Sequence, residues 1–245
     1  MQKYYLIGNH KMNLTFSEEQ KFINQFNKLY NDNTNSNIFV GIAVSPSNLA
    51  LKHVTNFNHL KLGSQNLSIY QKGAYTGEVS AHQIKNLLVD FTILGHSERR
   101  IYFQDNPSLI NTRIKNAIEN NLNVILCIGE TKEEYQSNQT IQSLTYQIDE
   151  ALKNIENPAQ IIISYEPIWS IGTGLVSSNE HLKDIYNFLE QKLPQTTFLY
   201  GGSAKPSNIL HLLEIPQIKG FLVGNASLEA ETFYEMYKIL MNVGK

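Results

Sequence analysis

Four short stretches carry side chains suited to proton transfer or anion binding. The first is Gly8-Asn9-His10-Lys11. At the end of a strand, the period of two aims Asn9 and Lys11 to the same side, where an amide and an ammonium could meet an anion. The second is Leu94-Gly95-His96-Ser97-Glu98-Arg99-Arg100. A helical turn begun at Ser97 points free amides at the His96 imidazole and disfavours its cation. A neutral imidazole can donate a hydrogen bond to a carbonyl without first losing a proton. The third is Tyr165-Glu166-Pro167, continued by Ile168-Trp169-Ser170-Ile171-Gly172-Thr173-Gly174. A carboxylate at the end of a buried strand is costly unless it is paired or used, and a stiff entry to a glycine-tipped loop has the composition of a lid. The fourth comprises two glycine-bearing ends, Tyr200-Gly201-Gly202-Ser203 and Gly224-Asn225-Ala226-Ser227, whose bare amides suit phosphate. Taken singly, each also fits a bland role: a solvated lysine, a structural histidine, a tight glycine turn. Together with Lys11 they describe one dianion site.

These groups can act together only if one scaffold brings them to a common end. Apolar, β-branched or aromatic runs at residues 4–7, 38–44, 60–62, 91–94, 124–128, 161–165, 197–200 and 221–223 predict eight strands. Helical period fills the intervals, most clearly at Phe22, Ile23, Phe26, Leu29, Tyr30 and at Leu182, Ile185, Phe188, Leu189. Capping boxes are expected at Ser17 with Gln20, Ser80 with Gln83, Thr131 with Glu134 and Ser177 with Glu180, and Asn106-Pro107 marks another helix start. Continuous apolar strands, each followed by a helix, imply a parallel sheet buried on both faces. Eight units of roughly thirty residues match a (β/α)₈ barrel, with an open doubly wound sheet as the competing arrangement. Residues 31–37 read as a polar surface loop and no linker breaks the pattern, so residues 1–245 are expected to form one α/β barrel domain. In such a barrel the loops at the C-terminal ends of the strands converge on one mouth.

Composition narrows the chemistry. The 245 residues include 20 Lys+Arg and 22 Asp+Glu, a formal charge of −2, which offers no overall basic field for nucleic acid or an anionic membrane face. Any anionic ligand must be met locally. Hydrophobic residues at 42% and charged residues at 17% exclude a fibre or a disordered tail. Cys127 is the only cysteine, so no intramolecular disulfide can form, which fits a reducing compartment. No apolar run reaches membrane-spanning length and no signal peptide is visible, so a soluble cytoplasmic protein is expected. The seven histidines are scattered without metal-ligand spacing, and no dinucleotide fingerprint, P-loop or serine triad stands out. Neither a metal nor a cofactor is indicated.

Taken in order, Asn9-His10-Lys11-Met12-Asn13, Gly73-Ala74-Tyr75-Thr76-Gly77-Glu78, the His96 segment, Cys127-Ile128-Gly129-Glu130, the Glu166 segment with Gly172-Thr173-Gly174, Tyr200-Gly201-Gly202-Ser203 and Gly220-Phe221-Leu222-Val223-Gly224 resemble the triosephosphate isomerase family from end to end. The resemblance implies a barrel that interconverts dihydroxyacetone phosphate and D-glyceraldehyde 3-phosphate through an enediolate, a step of glycolysis and gluconeogenesis. It also implies Glu166 as the base and His96 as the neutral electrophile. Lys11 and Asn9 would stabilise charge on the substrate oxygens, with Glu98 supporting Lys11. Amides of Gly172, Ser203, Gly224 and Asn225 would hold the phosphate, and Ile171 and Leu222 would cover the base. By the same resemblance, the Tyr75-Thr76-Gly77 loop would enter a second subunit, making a homodimer.

The chain departs from the family's common pattern at several positions. His10 stands for a Trp, Ser64 and Ser170 for Ala, Ala204 for Val, Lys219 for a frequent Asp, and Asn225 for the second glycine of a pair. Asn tolerates left-handed backbone, so its phosphate-facing amide is expected to be kept. Two other readings are an isomerase, epimerase or aldolase for another phosphosugar on the same scaffold, and a protein that binds phosphosugars without catalysis.

Overall fold

Eight parallel strands close into a barrel in sequence order: β1 (Tyr4–Asn9), β2 (Ile38–Val44), β3 (Lys61–Ser64), β4 (Phe91–Leu94), β5 (Asn123–Ile128), β6 (Ile162–Tyr165), β7 (Phe198–Tyr200) and β8 (Ile218–Val223). The computed structural model describes residues 4–31, 34–170 and 177–243. Pairing of Tyr5 to Gly220 through Gly8 to Val223 joins β8 back to β1 and completes the ring. The expected eight strands are present, the barrel is a single domain, and the open sheet is excluded. β1 runs two residues beyond its apolar stretch because backbone pairing carries Gly8 and Asn9 along Ile42 and Ala43 whatever their side chains. Ser64 likewise stays in the ladder at the end of β3, paired with Val44 and Thr92.

Alternation along the strands divides the core in two. Ile7, Ala43, Ile93, Ile125, Cys127, Leu199 and Leu222 fill the barrel interior. Their neighbours Leu6, Ile42, Leu94, Leu126 and Val223 face outward against the helices. Among the described residues the helices are α1 (Phe16–Tyr30), α2 (Ala81–Asn86), α3 (Ser97–Tyr102), α4 (Pro107–Glu119), α5 (Lys132–Gln136), α6 (Thr140–Ala151), α7 (Asn179–Lys192), α8 (Ile209–Leu212) and α9 (Ala230–Val243). Phe22, Ile23, Phe26 and Tyr30 form the buried stripe of α1, and Leu182, Ile185, Tyr186 and Leu189 that of α7.

Two of the expected caps move. Thr15, not Ser17, caps α1 and shares a capping box with Glu18, because the helix begins at Phe16 and places Ser17 inside its first turn. Ser178 rather than Ser177 caps α7, accepting the His181 amide, while Ser177 is buried. The boxes at Ser80–Gln83 and Thr131–Glu134 form, and Asn106 caps α4 ahead of Pro107. No helix among the described residues is long and apolar enough to cross a membrane.

Candidate active site

The C-terminal ends of the strands deliver the polar groups to one cavity of about 340 Å³, lined by residues from β1, β8 and the loops after β4, β6 and β7. Asn9 closes β1 with its side chain buried. Lys11 follows two residues later, but the strand has ended and Lys11 sits at φ 53, in the left-handed region. Turn geometry, not strand alternation, therefore places these two side chains together, with the Asn9 Oδ1 accepting the Lys11 amide at 3.1 Å. Gln65 donates to the Lys11 carbonyl at 2.9 Å and ties the same turn to the end of β3. The Lys11 ammonium donates to Glu98 Oε1 at 2.6 Å, so the cation is held over the cavity by a partner outside it.

His96 follows Gly95 after β4 and occupies the N-cap of α3. Its Nδ1 accepts the Glu98 amide at 3.3 Å. That bond requires a bare Nδ1 and leaves the ring proton on Nε2, the nitrogen that faces Glu166 Oε1 at 3.6 Å. The nearer Glu98 carboxylate oxygen lies 3.7 Å from Nδ1, beyond hydrogen-bond reach, so the amide decides the tautomer.

Glu166 begins the loop after β6 and is 1% exposed. Its amide donates to the Ile128 carbonyl at 2.8 Å, and its Oε2 accepts the Ser97 amide at 3.3 Å. Its Oε1 is buried without a hydrogen-bond partner. Such an oxygen is costly to bury unless it is used. Burial, reinforced by the Glu166 charge, pushes the Cys127 thiol well above its ordinary value and keeps it protonated. Two glycines make room for this arrangement. A Cβ at Gly129 would lie 1.8 Å from the Glu166 carbonyl oxygen, and one at Gly201 would lie 2.7 Å from Glu166 Cγ.

Around Glu166, a second polar group forms behind the cavity. Glu130 is fully buried and accepts from Tyr165 at 3.0 Å and from the Trp169 indole at 2.8 Å. Burial, with the Glu130 charge added, raises Tyr165 well above the ordinary phenol range, so its hydroxyl remains a donor. The Ile168 amide donates to the Glu130 carbonyl at 3.2 Å, and Ser203 Oγ to the Ser170 carbonyl at 3.0 Å. The backbone on either side of Glu166 is thereby pinned.

Of the residues expected at the site, Asn9, Lys11, His96, Glu166, Ser203, Leu222, Gly224 and Asn225 share the cavity. Glu98 stands at its edge through Lys11 and His96. Ile171 and Gly172 lie outside the described residues. Asn225 is not left-handed: it opens a short 3-10 turn, Asn225–Ser227, and needs no special tolerance to keep its amide in the chain's path. Gly224 brings that segment to Lys11, since a Cβ there would lie 3.8 Å from Nζ. Lys205 and Asn208 also line the cavity and had no motif to announce them. Asn208 accepts the Lys205 amide and donates to the Ser203 carbonyl at 2.8 Å, which shapes the loop after β7.

The remaining departures have local partners. His10 bonds Glu19 in the interior, and Ser64 donates to Thr92 at 2.8 Å. Ser170 donates to the Pro167 carbonyl at 2.9 Å. Ala204 lines the cavity, and Lys219 lies among Tyr5, Glu190 and Pro216 in a separate depression. Burial lowers Lys219 below the ordinary amine range.

Comparison with known proteins places this geometry among its relatives. A family model described as triosephosphate isomerase matches residues 4–240. Triosephosphate isomerase of Mycoplasma mobile is 39% identical over 242 residues, covering 97% of this chain and all of the relative. That of Mesomycoplasma hyorhinis is 40% identical over 240 residues, covering 96% and 98% of the two chains. A crystal structure of triosephosphate isomerase from Bartonella henselae superimposes with a TM-score of 0.88 at 28% identity, over 98% of this chain and 99% of the other. The match spans the barrel and every strand end that feeds the cavity, and the chain belongs to the triosephosphate isomerase family.

Proposed function

We propose that the cavity takes a triose phosphate and that Glu166 moves a proton between its two carbons. The family interconverts dihydroxyacetone phosphate and D-glyceraldehyde 3-phosphate, a step of glycolysis and gluconeogenesis, and the chain is an isomerase of this kind. The observation that carries the residue assignment is the unpartnered, buried Oε1 of Glu166, 3.6 Å from the Nε2 that holds the His96 proton.

Glu166 removes a proton from the carbon beside the carbonyl, and the electron pair moves onto the carbonyl oxygen to give an enediolate. His96 Nε2–H and the Asn9 amide donate to the oxygens on which charge develops, and the Lys11 ammonium stabilises it. His96 carries the hydroxyl proton of the first carbon's oxygen to the oxygen of the second, and return of the abstracted proton to that neighbouring carbon completes the isomerisation. Amides of Gly172, Ser203, Gly224 and Asn225 hold the phosphate, which fixes the reacting carbons over the base. Ile171 and Leu222 keep water from the carboxylate. Water exclusion also protects the enediolate from losing its phosphate. Lys11 donates to Glu98 at 2.6 Å, so its nitrogen is engaged by a carboxylate and not aimed at a carbonyl as a Schiff-base aldolase requires.

The second subunit belongs to the same proposal. Met12 beside Lys11 is 94% exposed, and Tyr75, Ile101, Tyr102 and Phe103 also expose apolar surface. A partner whose Tyr75-Thr76-Gly77 loop covers this apolar surface would remove it from water. The lone, buried Cys127 suits a reducing, cytoplasmic setting.

A coupled assay with Glu166→Gln tests the base. Turnover should fall about 10²- to 10⁴-fold while phosphoglycolate still binds. Near-normal turnover would take the carboxylate out of that role.

A further inference from the structure

Glu130 collects the groups on both sides of the base: the hydroxyl of Tyr165 before it, and the backbone of Ile168 and the indole of Trp169 after it. One more side chain reaches this cluster from a different element. His181, in the first turn of α7, places Nε2 3.2 Å from the Tyr165 oxygen and 3.8 Å from Glu130 Oε1. The Ser178 cap receives the His181 amide and sets the residue's height on the helix. Its ring stands edge-on to Tyr135 at 5.0 Å, and Tyr135 stacks on Trp169 at 4.6 Å.

The direction of the His181–Tyr165 bond follows from counting protons. The phenol has one hydrogen, and the buried Glu130 carboxylate takes it. The phenolic oxygen can then only accept, so His181 must donate through Nε2–H. The chain of bonds runs His181 to Tyr165 to Glu130, with Trp169 donating to the same carboxylate. It binds α7 to the residue immediately before Glu166. A donor on the phenolic oxygen also strengthens the phenol's own bond to Glu130.

We propose that His181 is a positioning residue for the general base: by donating to Tyr165 it completes the Glu130 cluster that holds the backbone on both sides of Glu166. The proposal rests on Glu166 being the base. His181 touches neither the cavity nor the reacting atoms, so its loss acts on the chemical step and leaves phosphate binding alone.

Three substitutions and one spectroscopic signal test it. His181→Gln keeps a donor, His181→Leu removes donor and ring, and His181→Phe keeps a ring without a donor. Trp169 is the only tryptophan, so its emission reports on this cluster alone. Removing one such bond should lower kcat about five- to tenfold in both the Leu and Phe variants. KM should stay within about twofold, and the Trp169 emission maximum should shift, while the Gln variant restores both kcat and emission. Should the Leu variant fail to fold, the Phe and Gln pair decides. Full kcat in His181→Phe, or a Gln variant as impaired as it, would overturn the donor role. Either result with Glu166→Gln still inactive would leave the base assignment standing, whereas an active Glu166→Gln would remove the base itself.

Discussion

His10 sits between the two β1-end residues that line the cavity, yet its side chain turns into the protein. Its Nδ1 lies 2.5 Å from Glu19 Oε1, both residues are 1% exposed, and the ring meets Phe22 edge-on at 4.7 Å. Asn48 adds a weaker bond to the other Glu19 oxygen at 3.4 Å. Removing one member of such a buried pair strands the other. Glu19→Leu should therefore cost about 3 kcal/mol of folding stability, read as a lower urea midpoint at unchanged slope. An unchanged midpoint would show that the pair contributes nothing. From the sequence, His10 stood out only as a departure from a pattern. Glu19 carried no signal at all, because a contact nine residues apart across a strand–helix junction has no periodic signature. The same holds for Lys205 and Asn208, whose place in the cavity is set by the path of a loop. By contrast Glu166, His96 and Lys11 were legible together, because their strand-end segments follow one family's order, although Lys11 and His96 taken singly also fit a bland role.

At the scale of elements, strand ends do the positioning and small residues set how closely they approach. Gly201, after β7, leaves the space that the Glu166 side chain occupies. Gly201→Ala would put a methyl 2.6 Å from Ser164 Oγ and 2.7 Å from Glu166 Cγ, so the carboxylate must move. We expect kcat to fall about tenfold or more with a stability loss of about 1–3 kcal/mol, measured by steady-state kinetics and denaturation. A variant with full kcat would mean that the position of Glu166 tolerates this shift. The strands were readable in the sequence because a barrel strand is buried on both faces and shows as a continuous apolar run. Helix starts were readable only to within a residue or two. Thr15 and Ser17, or Ser177 and Ser178, are chemically equivalent caps, and packing of the first turn chooses between them.

For the whole molecule, closure of eight strands sends every βα loop to one mouth, and no single element could assemble the site. The exposed Met12 and Tyr75 lie on loops, not in the core, which is why the apolar pattern of the strands said nothing about a partner. Sedimentation equilibrium should give about twice the 27.9 kDa chain mass. Tyr75→Asp should shift the protein to monomer and lower kcat with it; a wild-type protein that sediments as a monomer would remove the second subunit from the account. The central claim is a proton passed between two carbons by Glu166, and reaction in deuterium oxide tests it most directly. With dihydroxyacetone phosphate as substrate, the part of the aldehyde formed after the Glu166 carboxyl exchanges its proton should carry solvent deuterium on carbon, and Glu166→Gln should yield almost no product. Aldehyde formed at the full rate by Glu166→Gln would contradict the mechanism.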